Sequence, residues 1–319
     1  MTREHYNKLD TGYGLVAVVI WSSSICLSRS LMEKVGMFTA VGAIYLLAGI
    51  ISFLFYWIVR RLNPDRPAIK FCPRHLAVCG IPFVLYMLCL YLAVGLAKNR
   101  QQVIEVGLLN YLWPTFTLIF SIPLLKKRAN FWLLPGTAVA LSGIVLANIV
   151  INDLRISIPE LWRNLCDNAV PYLLALAAAV LWGLYSNLSS RFSKESNVYN
   201  IPSFLLATGI VLQIIRCFFP EQSAWNNTAL VELAVAVLFP TITAYIMWDF
   251  AMRRGNLLLV ASFAYFTPLL STILSGLYLG VSLTVGVWFA CALVIVGACI
   301  SKSSLKEKLT PVPSPINEN

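Results

Sequence analysis

Charged side chains are scarce in this chain. Asp, Glu, Lys and Arg make up 12% of its 319 residues, whereas soluble domains carry roughly 25%. Hydrophobic residues make up 59%, and the mean hydropathy is +0.76. A soluble helical protein would need far more charged surface to stay dissolved. The composition therefore predicts an all-α polytopic membrane protein whose surroundings are the lipid bilayer.

Residues that carry catalysis or bind metals are also few. The only histidines are His5 and His75, and no His/Cys/Asp set has the spacing of a metal site. Dinucleotide and phosphate-loop glycine patterns are absent. The eight cysteines include no CxxC pair, so we interpret them as small apolar residues rather than ligands or disulfide partners. We expect no enzyme, no metal and no cofactor.

Basic residues exceed acidic ones and give a formal charge of +10. They lie between apolar runs rather than along one face, so we expect no nucleic-acid partner. With the N-terminus in the cytoplasm, seventeen Lys and Arg fall inside and seven outside, which predicts that both termini are cytoplasmic. The first apolar run is long and lacks a small-x-small exit, so no cleavable signal peptide is expected.

Ten apolar runs follow one another along the chain. Each approaches the ~20 residues that a spanning helix needs, and short connections make neighbouring helices antiparallel. The predicted limits are 12–32, 38–59, 75–97, 103–125, 130–150, 170–190, 201–219, 229–252, 257–279 and 284–301.

The fourth and ninth runs share a pattern. Tyr111 stands three residues before Pro114, and Tyr265 stands three residues before Pro268. Matches in the same order pair Tyr91 with Tyr245, Gly143 with Gly297, Trp21 with Trp182, and Gly49 with Gly209.

These matches predict a duplication. Five spans per copy is an odd number, so the copies enter the membrane in opposite directions, as a 5+5 inverted repeat does. That architecture is typical of transporters and makes a site near the membrane midplane. We assign 1–151 to the first repeat, 152–169 to a periplasmic linker with a short surface helix, 170–301 to the second repeat, and 302–319 to a disordered cytoplasmic tail.

Aromatic residues well inside the runs indicate a cavity. Some membrane Trp and Tyr belong to interfacial belts, but these residue types also offer an apolar face with one hydrogen-bonding group. Aromatic faces attract ammonium groups, which favours an amino acid or organic cation over a sugar phosphate. The predicted lining is Trp21, Tyr45, Tyr86, Asn110, Tyr111, Trp113, Trp182, Tyr245 and Tyr265.

Prolines interrupt matching spans of the two halves. Pro82 and Pro240 lie in the third and eighth runs, and Pro114 and Pro268 lie in the fourth and ninth. Proline removes a backbone donor and crowds the preceding turn, so each helix should kink there. We interpret these prolines as hinges of a rocking mechanism. Static kinks for packing are the alternative.

For two acidic residues within the spans, the sequence allows more than one role. Glu105 starts the fourth run, either as support for the helix end or as an extracellular gate. Asp249 lies one turn before Arg253, which favours an i,i+4 ion pair. Proton antiport through Glu105 or Asp249 and downhill facilitation are both open.

The residues resemble a known family. The five-plus-five spans and the proline-centred fourth and ninth runs look like the drug/metabolite transporter superfamily with two EamA domains. The segments AIYLLAG at 43–49, IEVGLLNYLWPTFTLIF at 104–120 and SFAYFTPLLS at 262–271 are similar to the bacterial aromatic amino acid exporters of the inner membrane. Asp249 departs from that pattern, because a neutral residue is expected there.

The resemblance implies an inner-membrane exporter of neutral, chiefly aromatic, amino acids that works by alternating access, and we expect it to be a monomer. The alternatives are export of another small solute, such as an organic cation or a nucleotide-derived metabolite, and a membrane sensor that transports nothing.

Overall fold

The chain folds almost entirely into helices. The structure is a computed structural model that describes residues 7–63, 73–98, 100–152, 158–192, 200–270 and 285–306. The end of the ninth predicted run and most of the predicted cytoplasmic tail lie outside these residues.

The described residues of the first half form six helices. The Asn7 side chain caps the first by accepting a hydrogen bond from the Leu9 amide at 2.9 Å. Gly36 ends it with a φ of 89°, a conformation that favours glycine. The helices are α1 (Lys8–Val35), α2 (Met37–Leu62), α3 (Pro73–Gly95), α4 (Arg100–Asn110), α5 (Trp113–Leu125) and α6 (Leu133–Asn152).

In the described residues of the second half we number six helices, of which the first is short. Helix α7 coincides with the surface helix predicted in the linker. The Asn226 and Asn256 side chains cap later helices by accepting hydrogen bonds from the Ala229 and Leu259 amides. The helices are α7 (Ile158–Asp167), α8 (Ala169–Arg191), α9 (Ile201–Arg216), α10 (Asn227–Arg254), α11 (Leu257–Phe263) and α12 (Val285–Ser303).

Two short strands depart from the all-helical prediction. Strand β1 (Arg128–Ala129) pairs antiparallel with strand β2 (Leu305–Lys306), and Arg128 lies opposite Lys306. The pairing ties the connection between α5 and α6 to the residues after α12. It is too short to change the fold class.

Every predicted kink coincides with a local departure from α-helical geometry. Pro82 follows a π-helical segment at Leu76–Gly80 in α3. Pro240 lies inside a π-helical segment at Val237–Thr243 in α10. Pro114 follows the turn at residues 111 and 112 that separates α4 from α5.

Pro268 completes this set in the second half. It lies in the helical residues 267–270, after the 3₁₀ turn Ala264–Phe266. Matching spans of the two halves are thus interrupted in matching ways, by π-helical segments in α3 and α10 and by breaks after Tyr111 and near Tyr265.

Helices of the first half pack mainly against helices of the second. The closest neighbours are α2 with α9, α6 with α12, α1 with α10, and α3 with α8. A Cβ atom added at Gly49 would lie 2.6 Å from the backbone of Leu206, and one added at Gly209 would meet the backbone of Leu46. These matched glycines therefore allow α2 and α9 to approach backbone to backbone, as small residues do between membrane helices.

The helices are apolar enough for a polytopic membrane protein. Among the described residues, five are long and apolar enough to cross a bilayer, namely Met37–Leu62, Pro73–Gly95, Glu105–Leu125 (counted across its break), Ala169–Arg191 and Asn227–Arg254. Shorter apolar helices cover Leu133–Leu146, Ile201–Arg216, Leu257–Leu270 and Trp288–Ser303.

Candidate functional site

A cavity lies where the two halves meet. Its volume is about 270 Å³, just below the range of roughly 300–1,000 Å³ that is usual for drug-sized ligands, so it suits one small solute. Among the described residues that line it, none is charged. They are Trp21, Met32, Ile44, Tyr45, Tyr86, Leu90, Tyr91, Gly107, Asn110, Tyr111, Trp113, Trp182, Ala236, Pro240, Thr241, Tyr245 and Thr267.

Aromatic rings from both halves form the cavity wall. The rings of Trp21 and Trp182, which the duplication pairs, lie 5.6 Å apart in an edge-to-face arrangement. Tyr86 packs against Trp182 at 4.7 Å. The hydroxyls of Tyr45 and Tyr245 hydrogen-bond each other at 2.8 Å. Such contacts fix the rings, so the wall is preformed.

Several polar atoms face this wall without a protein partner. Among the described residues, Asn110 Oδ1, Thr267 Oγ1 and Trp182 Nε1 are buried and have no hydrogen-bond partner. All three residues line the cavity. A buried polar group without a partner is costly, so an acceptor, a hydroxyl and a donor are available to a bound solute.

Helix α10 borders the cavity at its π-helical segment. Pro240 has no amide hydrogen to give to the Ala236 carbonyl, and the Thr241 hydroxyl donates a hydrogen bond to that carbonyl at 2.8 Å. The Pro240 carbonyl accepts a hydrogen bond from Trp21 Nε1 at 2.9 Å. The π-helical segment is thus stabilised by a side chain of its own and by α1.

One end of the cavity is closed by packed aromatic residues. Trp248 is fully buried, and its ring lies 5.3 Å from Trp21 and 5.5 Å from Trp113. Phe83 and Tyr185 are also fully buried and lie 5.2 Å apart. At the opposite end the lining reaches residues close to the end of α1. The cavity therefore lies nearer to the corner between α1 and α2.

Tyr265 lies apart from the other predicted cavity residues. It is fully buried, and its hydroxyl lies 2.9 Å from Thr115 Oγ1 and 3.4 Å from Thr137 Oγ1. Tyr265 therefore packs the 3₁₀ turn that follows α11 against α5 and α6. It is not part of the cavity lining. The other eight predicted residues all line the cavity.

Neither acidic residue singled out in the sequence lines the cavity. Glu105 is buried, and its carboxylate accepts hydrogen bonds from the Tyr172 hydroxyl and from Asn164 Nδ2, the latter at 3.2 Å. It therefore joins α4 to α7 and α8.

Asp249 is held by a cation and a hydroxyl. Arg253 Nη1 lies 3.5 Å from its Oδ2, so the i,i+4 pair is present. Ser189 Oγ donates to its Oδ1 at 2.7 Å. Both charged side chains are almost fully buried, beyond the aromatic residues that close the cavity. Within the described part of the chain, no group of three or more His, Cys, Asp or Glu is placed to hold a metal ion.

Sequence reasoning missed some cavity residues. Tyr91 carried a signal, because the duplication pairs it with Tyr245. Thr267 precedes Pro268 as Trp113 precedes Pro114, and both line the cavity. Met32, Ile44 and Leu90 carried no signal, since an apolar residue facing a cavity looks the same in sequence as one facing lipid.

Comparisons with known proteins agree with this architecture. Residues 11–149 and 169–302 each match the EamA-like transporter family. Aromatic amino acid exporter YddG from Escherichia coli (strain K12) is 29% identical over 288 residues, which are 90% of this chain and 94% of that protein. The uncharacterized inner membrane transporter YedA of the same organism is 25% identical over 287 residues, 87% of this chain and 85% of that protein.

A solved crystal structure shares the fold. It is 24% identical, with a TM-score of 0.73, and the match covers 92% of this chain and 96% of that one. The two family matches together cover most of the chain, and they identify a transporter rather than an enzyme. The protein belongs to the EamA-like transporter family.

Proposed function

We propose that the protein exports neutral, chiefly aromatic, amino acids across the bacterial inner membrane through the cavity at the junction of its halves. The observation that carries the proposal is the lining itself, which, among the residues that the structure describes, combines eight aromatic side chains with a few polar atoms and no charged residue. Aromatic faces attract both an indole or phenyl ring and an ammonium group. The similarity to an aromatic amino acid exporter supports the same substrate class.

We place the two ends of the amino acid on different atoms of the wall. Asn110 Oδ1 accepts from the ammonium group, while Trp182 Nε1 and the Thr267 hydroxyl donate to the carboxylate. In the part of the chain that the structure describes, these three atoms of lining residues are buried and have no hydrogen-bond partner. A nucleotide-derived metabolite would require cationic side chains to meet its phosphates, and the described lining residues include none.

We propose ten spans, arranged as a 5+5 inverted repeat with the boundaries predicted from the sequence. The pattern of contacts supports this arrangement. Exchanging each helix for its counterpart in the other half leaves the α2–α9 and α6–α12 contacts unchanged, and it converts α1–α10 into α8–α3. A contact pattern that survives this exchange is what a two-fold axis between the halves would produce.

Hydrogen bonds between the helix ends support alternating crossings. The Asn7 amide donates to the Arg254 carbonyl at 3.1 Å, so the N-terminus lies beside the end of α10. At the opposite ends of α1 and α10, the Ala224 amide donates to the Lys34 carbonyl at 3.0 Å. With both termini cytoplasmic, the cavity lies toward the periplasm, which makes this an outward-facing conformation, and Pro82, Pro114, Pro240 and Pro268 are the hinges of its closure.

Transport is tested with purified protein in liposomes loaded with radiolabelled tryptophan, threonine or tetraethylammonium. We expect tryptophan to leave fastest and threonine to follow, because both carry the amino-acid group. Faster loss of tetraethylammonium would favour the organic-cation alternative, which the aromatic wall also fits. Retention of all three labels at the rate of protein-free vesicles would contradict transport and favour the sensor.

Orientation is tested separately with single cysteines at Lys127 and Arg254 in intact cells. We expect both to be protected from a membrane-impermeant thiol reagent and to react only after the inner membrane is opened. Reaction of one of them in intact cells would contradict the ten-span arrangement.

A further inference from the structure

An ion pair joins the two halves just beyond the cavity. Lys34 Nζ on α1 lies 2.8 Å from Glu232 Oε1 on α10. We call Lys34 and Glu232 the exit pair. The Ser30 hydroxyl donates to the same carboxylate oxygen, also at 2.8 Å. Both helices contribute to the cavity wall as well.

The exit pair stands at the periplasmic end of the proposed pathway. Glu232 precedes Ala236 by one helical turn, so both lie on the same face of α10, and Ala236 lines the cavity. Met32 lines the cavity from α1, two residues before Lys34. The side chains of Lys34 and Glu232 are 28% and 12% exposed, so the pair lies between the buried wall and solvent.

The second oxygen of Glu232 is not used by the fold. Glu232 Oε2 is buried and has no hydrogen-bond partner among the residues that the structure describes, because both donors converge on Oε1. A carboxylate has lone pairs for about four hydrogen bonds. Leaving one oxygen buried and unpaired is costly, and an ammonium group is its strongest partner.

We propose that the exit pair is a second binding site for the solute, which receives the charged ends of an amino acid as it leaves the cavity. Glu232 Oε2 accepts hydrogen bonds from the ammonium group, and Lys34 turns from Oε1 to the carboxylate. This inference rests on the proposed function, because only a solute with both groups matches both residues. The described cavity lining meets the two ends of the amino acid with neutral polar atoms, whereas the exit pair meets them with opposite charges.

The same geometry favours release. Lys34 and Glu232 attract each other, so the pair re-forms when the solute departs and competes with it for both charges. Partly exposed ion pairs are individually weak in water. The site is therefore selective for charge without holding the amino acid tightly.

The test separates the two charges with three ligands that share an indole ring. L-tryptophan carries both groups, tryptamine carries only the ammonium, and indole-3-propionate carries only the carboxylate. Each unlabelled ligand competes against radiolabelled tryptophan in proteoliposomes. We expect Glu232→Gln to weaken inhibition by tryptophan and tryptamine about tenfold, the effect of one charged hydrogen bond, and to leave indole-3-propionate unchanged.

Lys34→Met should give the complementary result. It should weaken inhibition by tryptophan and indole-3-propionate and leave tryptamine unchanged. Glu33→Gln is the matched control, since it removes the same charge from the exposed neighbouring residue, and it should change none of the three. If Glu232→Gln does not fold, Glu232→Asp decides the question, because its shorter side chain keeps the charge and should still weaken only the ligands with an ammonium group.

A purely structural ion pair would behave differently. It would change all three ligands alike in both single variants, and the exchanged variant Lys34→Glu/Glu232→Lys would restore wild-type inhibition. Either result overturns the exit pair while leaving amino-acid transport intact. Wild-type protein that transports no tryptophan would overturn the proposed function and this inference together.

Discussion

Tyr111 and Tyr265 stand three residues before matching prolines, yet their side chains lie in different surroundings. Tyr111 lines the cavity, whereas Tyr265 is fully buried against Thr115 and Thr137. The backbone is broken near both residues. The helix break near the tyrosine is thus preserved in both copies, whereas the residues that surround the tyrosine differ.

An inverted repeat gives this difference a physical reason. In the proposed inverted repeat the two copies run through the membrane in opposite directions, so a cavity displaced toward one face would be lined unequally by them. Differences between the halves should therefore concern the cavity and its two ends, while the contacts that hold the halves together should be equivalent. Substitutions at the contacts between the halves and at the cavity test this distinction.

The largest effect is expected where the halves are equivalent. Gly49→Val and Gly209→Val each place a side chain against the backbone of the partner helix, at Leu206 and at Leu46. Since backbone cannot move aside as a side chain can, each should lower the free energy of unfolding by roughly 3 kcal/mol or more. Thermal unfolding of the detergent-solubilised protein measures this.

Gly12→Val is the control for these variants, because a Cβ atom there meets nothing within 4 Å. The two glycine variants should be destabilised to a similar degree. A large loss at one glycine and none at the other would contradict the equivalence of the halves at this crossing.

A smaller effect is expected at an ion pair that only one half possesses. At the shift of the proline blocks Asp249 corresponds to Gly95, so the pair with Arg253 has no counterpart. Asp249→Asn leaves a buried arginine without its carboxylate, which should cost about 3 kcal/mol of unfolding free energy. Denaturant titration of the purified protein measures it.

The double variant Asp249→Leu/Arg253→Met provides the control. It removes both charges, and it should recover most of the lost stability because apolar residues often replace buried ion pairs without cost. A double variant as unstable as the single one would contradict a role of the pair in compensating charge and would indicate other essential contacts of Arg253.

A third effect, smaller than the two on stability, is expected on transport when residues of the cavity wall are changed. Tyr111→Ala and Trp113→Ala each remove an aromatic face from the lining, where ring contacts contribute about 0.5–1.5 kcal/mol beyond burial. Transport of tryptophan at low concentration should fall roughly tenfold, with membrane insertion unchanged. Trp132→Ala, at a half-exposed tryptophan outside the cavity, should transport normally. Normal transport by both cavity variants would refute the assignment of the cavity.

The sequence predicts the helices better than their interruptions. The run predicted at 38–59 became Met37–Leu62, and the run at 229–252 became Asn227–Arg254, because apolar length determines a span. The prolines indicated where the helices are interrupted. They did not indicate that α10 would accommodate Pro240 as a π-helical segment, in which the Ala236 carbonyl also accepts a hydrogen bond from the Thr241 hydroxyl.

The cavity was predictable from the sequence only at positions where the residue type itself indicates a lining residue. Trp21, Tyr111, Trp182 and Tyr265 stood out because each lies well inside its apolar run, and the first three line the cavity. The direction in which Tyr265 points depends on the rotation of its helix about its axis, which tertiary packing decides. The exit pair escaped notice because Lys34 and Glu232 are nearly 200 residues apart in the chain, and neither is unusual alone.

The smallest effect is expected at Tyr265, and it directly tests the difference between Tyr111 and Tyr265. Tyr265→Phe removes the hydroxyl that contacts Thr115 at 2.9 Å and keeps the ring, so it should cost about 1 kcal/mol of unfolding free energy. Its half-saturation for tryptophan should stay at the wild-type value, because the residue packs helices instead of touching solute. Thr115→Val removes the partner and should give the same loss of stability, and the double variant should add little. If Tyr265→Phe instead weakened tryptophan binding as Tyr111→Ala does, the two tyrosines would be functional equivalents that exchange surroundings during the transport cycle.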